Sequence, residues 1–276
     1  KTLAEYERVL RELAGRGVRR DDGVVAFGGG VVGDLAGFCA ATYQRGVPVV
    51  QVPTTVVAQV DSAYGGKTGV DLPEGKNYVG AYHMPLAVLA DPATLATLPA
   101  EEVAAGFAEV VKTALLAGGE LWERVRALDG FRPAELPDVI FACARTKLDV
   151  VARDERDSGA RAALNLGHTV GHAIEAVTGY ARYRHGEAVG LGLLAALRLS
   201  GADELRAEVA DLLERHGLPV RLDPAIDPEA VVAATARDKK AGAGGVAWVL
   251  LERPGEVTTG ARLDAGNVLE AVKELQ

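Results

Sequence analysis

Cysteine is nearly absent: Cys39 and Cys143 are the only two among 276 residues, each inside an apolar, helix-like run. That excludes a disulfide scaffold and fits reduced, buried thiols in a cytoplasmic protein. No stretch approaches the ~20 uninterrupted apolar residues of a membrane span. The opening run KTLAEYERVLREL is charged and amphipathic rather than signal-like, so no membrane partner is expected. Basic residues are also in deficit, with 30 Lys and Arg against 38 Asp and Glu and a net charge of −8. A nucleic-acid partner is therefore excluded, because phosphate neutralisation needs a broad basic face. What remains is ordinary for a globular protein, 49% hydrophobic and 25% charged, and long enough for two domains.

Leu3, Tyr6, Leu10 and Leu13 recur at helical spacing until Gly15 and Gly17, predicting an opening helix. VVAF at 24–27, bounded by Asp-Asp-Gly and three glycines, predicts a buried parallel strand, and VVGDLAGFCAATY a helix after it. Further strands are expected at 47–53 and 87–91, with a glycine-rich loop over 65–80 between them. From residue 100 the period becomes helical, at 100–117, 119–128, 134–152, 162–178, 186–200, 202–216 and 228–237. VAWVLLERPGEVTTG predicts a hairpin, and LDAGNVLEAVKEL a closing helix with Asp264 near its start. The expected fold is α/β: a Rossmann-like nucleotide-binding layer over residues 1–95, then a mostly α-helical domain over 96–276, with ligands favoured between them.

GGGVVGD sets glycines between a strand and a helix, where backbone N–H groups and the helix N-terminus can face a pyrophosphate; packing turns use the same string. Thr54 and Thr55 follow a strand, where hydroxyls either bond a nucleotide or cap a helix. GGKTGVDLPEGKN brings Lys67, Lys76 and Asn77 among glycines, a composition suited to phosphate or to a solvated loop. NLGHTVGHAIE and RHGEAVG put three of the five histidines, His168, His172 and His185, within one short stretch. An HxxxH pair with a third histidine nearby points to metal. Thr169 stands where HExxH would have its glutamate, so a metalloprotease lacks its base and a carboxylate ligand must come from elsewhere. AGFAEVVKTALL offers Glu109 beside Lys112 on one helical face, as an intrahelical ion pair or as a metal-bound carboxylate near a substrate-binding lysine.

Taken in order, GGGVVGDLAGF, PTTVVAQVDSAYGGKTGV, GKNYVGA, AEVVKTA, NLGHTVGHAIE and HGEAV resemble the 3-dehydroquinate synthase family across essentially the whole chain. The resemblance implies Zn²⁺, with Co²⁺ as an alternative, held by Glu109, His168 and His185, which makes His172 a substrate contact. It implies NAD contacts at Gly30, Val31, Val32, Gly33, Asp34, Thr54, Thr55, Lys67 and Lys76, and at the turn Thr94, Leu95, Ala96 and Thr97. Its substrate positions fall on Asp61, Lys67, Asn77, Lys112, Lys147, Arg161, Asn165, His172 and one of Lys239 or Lys240, with Arg45 reaching across a homodimer. The implied substrate is a phosphorylated sugar acid, 3-deoxy-D-arabino-heptulosonate 7-phosphate, converted to 3-dehydroquinate and phosphate in the shikimate pathway with NAD regenerated in each turnover. Lys1 resembles the end of a family motif whose preceding glycine and glutamate are absent, so the resemblance implies a missing N-terminal segment. Other readings are a 2-deoxy-scyllo-inosose or valiolone-type cyclase, a glycerol-dehydrogenase-like metal alcohol dehydrogenase, and a non-catalytic truncated scaffold.

Overall fold

The structure is a computed structural model that describes residues 1–236 and 245–276. In chain order it begins with α1 (Leu3–Gly15), β1 (Val24–Gly28), α2 (Gly30–Thr42), β2 (Val49–Pro53), α3 (Val56–Val60), β3 (Lys67–Leu72), β4 (Gly75–Tyr82) and β5 (Ala87–Val88). Next come α4 (Ala100–Ala117), α5 (Gly119–Arg126), α6 (Pro137–Arg153), α7 (His168–Val177), α8 (His185–Leu199) and α9 (Asp203–Arg215). The chain ends with α10 (Pro228–Thr235), β6 (Trp248–Arg253), β7 (Glu256–Ala261) and α11 (Ala265–Lys273). Two compact units result, residues 1–98 with 133–156, and residues 99–132 with 157–276. Residues 133–156, expected in the helical domain, thus return to the first unit. The reason is the apolar face of α6: Ala144 closes a core cluster with Ala63 and Tyr64 from the turn after α3.

In the first unit, β1, β2 and β5 form a parallel sheet, with β1 and β2 in register from Val24 opposite Val49 to Gly28 opposite Pro53. Parallel neighbours must be joined by a crossover, and α2 supplies it, packing Ala40 against Ala26, Val47 and Val49. The Rossmann-like layer expected from the sequence is therefore present. The third strand is shorter than expected: only Ala87 and Val88 pair with β2, because Asp91 and Pro92 start a 3₁₀ turn over Pro92–Thr97. Cys39 and Cys143 are free and buried, and burial pushes the Cys39 thiol up to about 11.

The glycine-rich stretch expected as a loop is instead the antiparallel hairpin of β3 and β4. Gly69 sits opposite Gly80, and a Cβ on Gly80 would lie 2.1 Å from the Thr68 carbonyl oxygen. These glycines admit close strand approach, which composition alone does not distinguish from a loop.

The second unit is built around α4, α7 and α8. A Cβ on Gly186 would meet the Ala105 carbonyl oxygen at 1.7 Å, and one on Gly192 the Gly167 oxygen at 2.0 Å, so glycine lets α8 seat directly on the backbone of its neighbours. The single helix expected over 162–178 is broken. A 3₁₀ turn over Ala160–Asn165 ends at Leu166, Gly167 takes φ +77°, and α7 begins at His168. Only glycine adopts that left-handed backbone without strain, and the break makes His168 the first residue of a helix. The hairpin of β6 and β7 and the closing helix α11, capped by Asp264, form as expected.

Candidate metal centre and nucleotide-binding turn

Glu109 lies in the middle of α4, 1% exposed, between apolar neighbours that hold the helix in the core. Neither carboxylate oxygen accepts a well-aligned hydrogen bond, although Lys112 Nζ stands 2.6 Å from Oε2 one turn further on. Burial pushes this carboxyl up, but Lys112, His168 and His185 together outweigh it and hold the group well below the usual range, so it stays ionised. A buried anion with unsatisfied oxygens is costly unless a cation completes it.

The completing groups come from α7 and α8. His168 Nε2 is 3.4 Å and His185 Nε2 is 3.3 Å from the same oxygen, Glu109 Oε1. Ligands at ~2.0 Å in a tetrahedral zinc shell stand ~3.3 Å apart, so these are the edge lengths a zinc site requires. The other ring nitrogens are engaged too. His168 Nδ1 lies 3.1 Å from the Leu166 carbonyl, and His185 Nδ1 lies 3.2 Å from Glu175 Oε2. Donating Nδ1–H to these acceptors makes Nε2 of each ring the nitrogen that points at Glu109 and would ligate a metal, which displaces any proton held there. Burial lowers the His168 pKa; at His185 burial also opposes the proton, but the Glu109 and Glu175 carboxylates on either side of the ring lift it to about 9. The donor set of two imidazoles and one carboxylate fits a catalytic zinc ion with an open position.

His172 projects one turn past His168 and is exposed, with its ring 5.2 Å from His168 and 5.9 Å from His185. The two remaining histidines sit elsewhere: His83 Nε2 meets the Val47 carbonyl at 2.9 Å, and His216 stacks on Phe107 at 4.1 Å.

Residues 1–105 match the family model described as 3-dehydroquinate synthase N-terminal, and residues 106–241 the one described as 3-dehydroquinate synthase C-terminal. The chain belongs to the 3-dehydroquinate synthase family. A 3-dehydroquinate synthase of Symbiobacterium thermophilum is 52% identical over 267 residues, 93% of this chain and 74% of the relative. One of Halorhodospira halophila is 48% identical over 271 residues, covering 94% and 76%. Among solved structures, 2-epi-5-epi-valiolone synthase from Streptomyces hygroscopicus subsp. jinggangensis 5008, with NAD⁺ and Zn²⁺ bound, superposes with TM-score 0.89 at 28% identity, over 99% of this chain and 79% of that one. A 2-deoxy-scyllo-inosose synthase complexed with carbaglucose-6-phosphate, NAD⁺ and Co²⁺ gives TM-score 0.87 at 28% identity, over 100% and 80%. Glycerol dehydrogenase from Schizosaccharomyces pombe, at 17% identity and TM-score 0.67, shares the fold.

In this family member the glycine turn forms a cavity lined by Gly28, Gly30, Gly33, Asp34, Lys67 and neighbours. Glycine is needed there twice over: a Cβ on Gly29 would meet Thr55 Cγ2 at 2.8 Å, and one on Gly33 would meet Gln51 Oε1 at 2.8 Å. Val31 and Val32 are exposed on the first turn of α2. Burial pushes the Asp34 carboxyl up, against an ion pair with Lys1. Thr55 caps α3, accepting from the Ala58 N–H at 3.3 Å, and the Thr54 N–H donates to the Gly28 carbonyl at 3.0 Å. Leu95 is buried while Ala96 and Thr97 are exposed. Thr94 Oγ1 donates to the Asp91 carbonyl at 2.7 Å and accepts from Gln59 Nε2 at 3.1 Å.

Elsewhere in the first unit, Lys147 on α6 makes an ion pair with Asp61, and Lys67 and Lys76 are exposed on the hairpin. Asn77, at φ +56°, donates its N–H to Asp71 Oδ1 at 2.8 Å and accepts from Lys1. Arg45 is exposed with φ +70°. In the second unit Arg161 is 2% exposed, and Asn165 Nδ2 donates to the Ala162 carbonyl at 2.9 Å. Lys239 and Lys240 lie outside the described residues. Sequence reasoning passed over Glu175, although a charged residue seven positions after His168 in an apolar helix was a readable signal. It also passed over Gln59, buried and tied to the Pro53 and Asp91 carbonyls.

Proposed function

We propose that the chain is a 3-dehydroquinate synthase, an NAD- and zinc-dependent lyase converting 3-deoxy-D-arabino-heptulosonate 7-phosphate to 3-dehydroquinate and phosphate. The observation that carries this reading is the approach of His168 and His185 Nε2 to one oxygen of Glu109, at 3.4 and 3.3 Å, in a member of this family. When bound, Zn²⁺ supplies Lewis acidity toward a substrate hydroxyl or carbonyl oxygen, and NAD supplies a hydride acceptor and donor. The chain's own groups bind and orient. Lys112 offsets the Glu109 charge, and the buried guanidinium of Arg161 suits a planar carboxylate. Exposed His172, beside two ligand histidines, is placed to hydrogen-bond substrate rather than metal. The resemblance gives Asp61, Lys67, Asn77 and Lys147 substrate roles as well, and gives the glycine turn and the 94–97 turn the nucleotide.

Incubated with the heptulosonate phosphate, zinc and substoichiometric NAD, the protein is expected to release phosphate and dehydroquinate far in excess of NAD, with no NADH accumulating. Stoichiometric NADH without phosphate would move the assignment to a metal alcohol dehydrogenase, and a different carbocycle to another sugar-phosphate cyclase.

His172→Ala is expected to keep one zinc per chain by elemental analysis while lowering kcat/KM at least ~100-fold, the loss of a substrate hydrogen bond worth ~3 kcal/mol in the transition state. A zinc-free His172→Ala protein would show that His172 is a ligand instead. The same reading makes the protein a cytoplasmic homodimer in which Arg45 serves the partner's phosphate site. Sedimentation of a fully active monomer at assay concentration would refute that arrangement.

A further inference from the structure

The reading above leaves Glu175 without a role. It lies on α7 three residues past His172 and seven past His168, on the same face, 1% exposed in a helix whose other buried residues are mostly apolar. An ionised carboxylate in such a place is costly unless it is held by a partner. Its Oε2 stands 3.2 Å from His185 Nδ1, while His185 Nε2 stands 3.3 Å from Glu109 Oε1. The imidazole of His185 therefore lies between two carboxylates, one at each nitrogen. His168 differs, since its Nδ1 faces only the neutral Leu166 carbonyl.

Burial accounts for the difference. The His168 side chain is 11% exposed and its ring is fixed by the core around it, whereas the His185 side chain is 36% exposed. His185 is also the first residue of α8, where the helix dipole works against a basic ring. A half-exposed ligand at a helix N-terminus needs a tether and an electron-donating partner, and a buried carboxylate supplies both.

The geometry points to Glu175 as a positioning residue that locks His185 in the Nδ1–H tautomer and aims its Nε2 lone pair at the metal. This rests on the zinc reading of Glu109, His168 and His185. Glu175 does not touch the metal; it sets how tightly and in what geometry His185 does.

The test is titration of the metal-free protein with Co²⁺, followed by its visible ligand-field bands, and with Zn²⁺ against a competing chelator. The wild type takes up one equivalent. Glu175→Ala binds ~10–100-fold more weakly with shifted Co²⁺ bands. Glu175→Gln, isosteric and able to accept from Nδ1–H, loses only part of that affinity, and it decides the matter if the alanine variant does not fold. A purely structural carboxylate would lower the unfolding midpoint in both variants while leaving affinity and bands at wild-type values, which overturns the proposal. Two equivalents in the wild type, with one lost in Glu175→Gln, would also overturn it, by making Glu175 a ligand with His172. No uptake by the wild type would instead refute the zinc reading, and the proposal with it.

Discussion

Glu109→Ala is expected to yield a zinc-free protein with turnover reduced at least ~1,000-fold, a loss of ~4 kcal/mol or more in transition-state stabilisation. The carboxylate supplies the oxygen that both His168 and His185 approach, so its removal takes away one ligand and the anion that balances the others. It also breaks the buried ion pair with Lys112, 1% exposed, a change that typically costs ~3–5 kcal/mol of stability. Loss of activity alone would thus not separate a missing metal from a damaged fold. Glu109→Gln keeps the volume and an oxygen while removing the charge. It should fold by circular dichroism and still contain far less than one zinc per chain by elemental analysis. A folded Glu109→Gln enzyme carrying a full equivalent of zinc would falsify the assignment of this carboxylate.

The clustering of histidines in NLGHTVGHAIE and RHGEAVG pointed to a candidate metal site from the sequence alone, because no other part of the chain gathers histidines so closely. Which histidines converge on the carboxylate was not legible from spacing. The four-residue interval puts His168 and His172 on one face of α7, yet the nitrogens that face Glu109 come from His168 and from His185, the first residue of the next helix. Local periodicity reports direction around one helix, whereas convergence depends on how separate helices pack. The same limit explains where the expected elements differ from the structure. Glycines at 69 and 80 read as a loop because composition does not reveal a strand facing them, and Gly167 read as helix interior because apolar periodicity continues across it. α6 read as part of the helical domain because its amphipathic pattern says that one face is buried, not which unit buries it. The parallel pair of β1 and β2, by contrast, was legible because short β-branched runs between turn signals leave few alternatives.

The glycines that bring the helices of Glu109 and His185 together lead to a second large effect. Gly186→Ala should destabilise the protein by more than ~4 kcal/mol, at the extreme end of single substitutions, while Gly190→Ala on the same helix should be neutral or stabilising by up to ~1 kcal/mol. At Gly186 the added Cβ would lie 1.7 Å from the Ala105 carbonyl oxygen and 2.5 Å from its carbon, both backbone atoms of α4 that cannot rotate away. The only relief is to part α4 from α8. At Gly190 the nearest atom is Leu213 Cδ1 at 3.5 Å, an ordinary contact with a mobile side chain, so alanine keeps its advantage in helix propensity. Both positions are buried in one helix, and the pair therefore separates steric approach from burial and from backbone entropy. Because α4 carries Glu109 one turn beyond Ala105 and α8 begins at His185, parting the helices also stretches the Glu109–His185 distance, now 3.3 Å. Zinc affinity in Gly186→Ala should accordingly fall by ~100-fold or more, beyond the loss typical of disturbing a ligand's hydrogen-bonding partner. Denaturant unfolding of the metal-free forms, run beside chelator competition, measures both quantities. Equal midpoints for the two variants would mean that α8 can slide along α4 without cost, and that the short helix–helix approach does not set the spacing of Glu109 and His185.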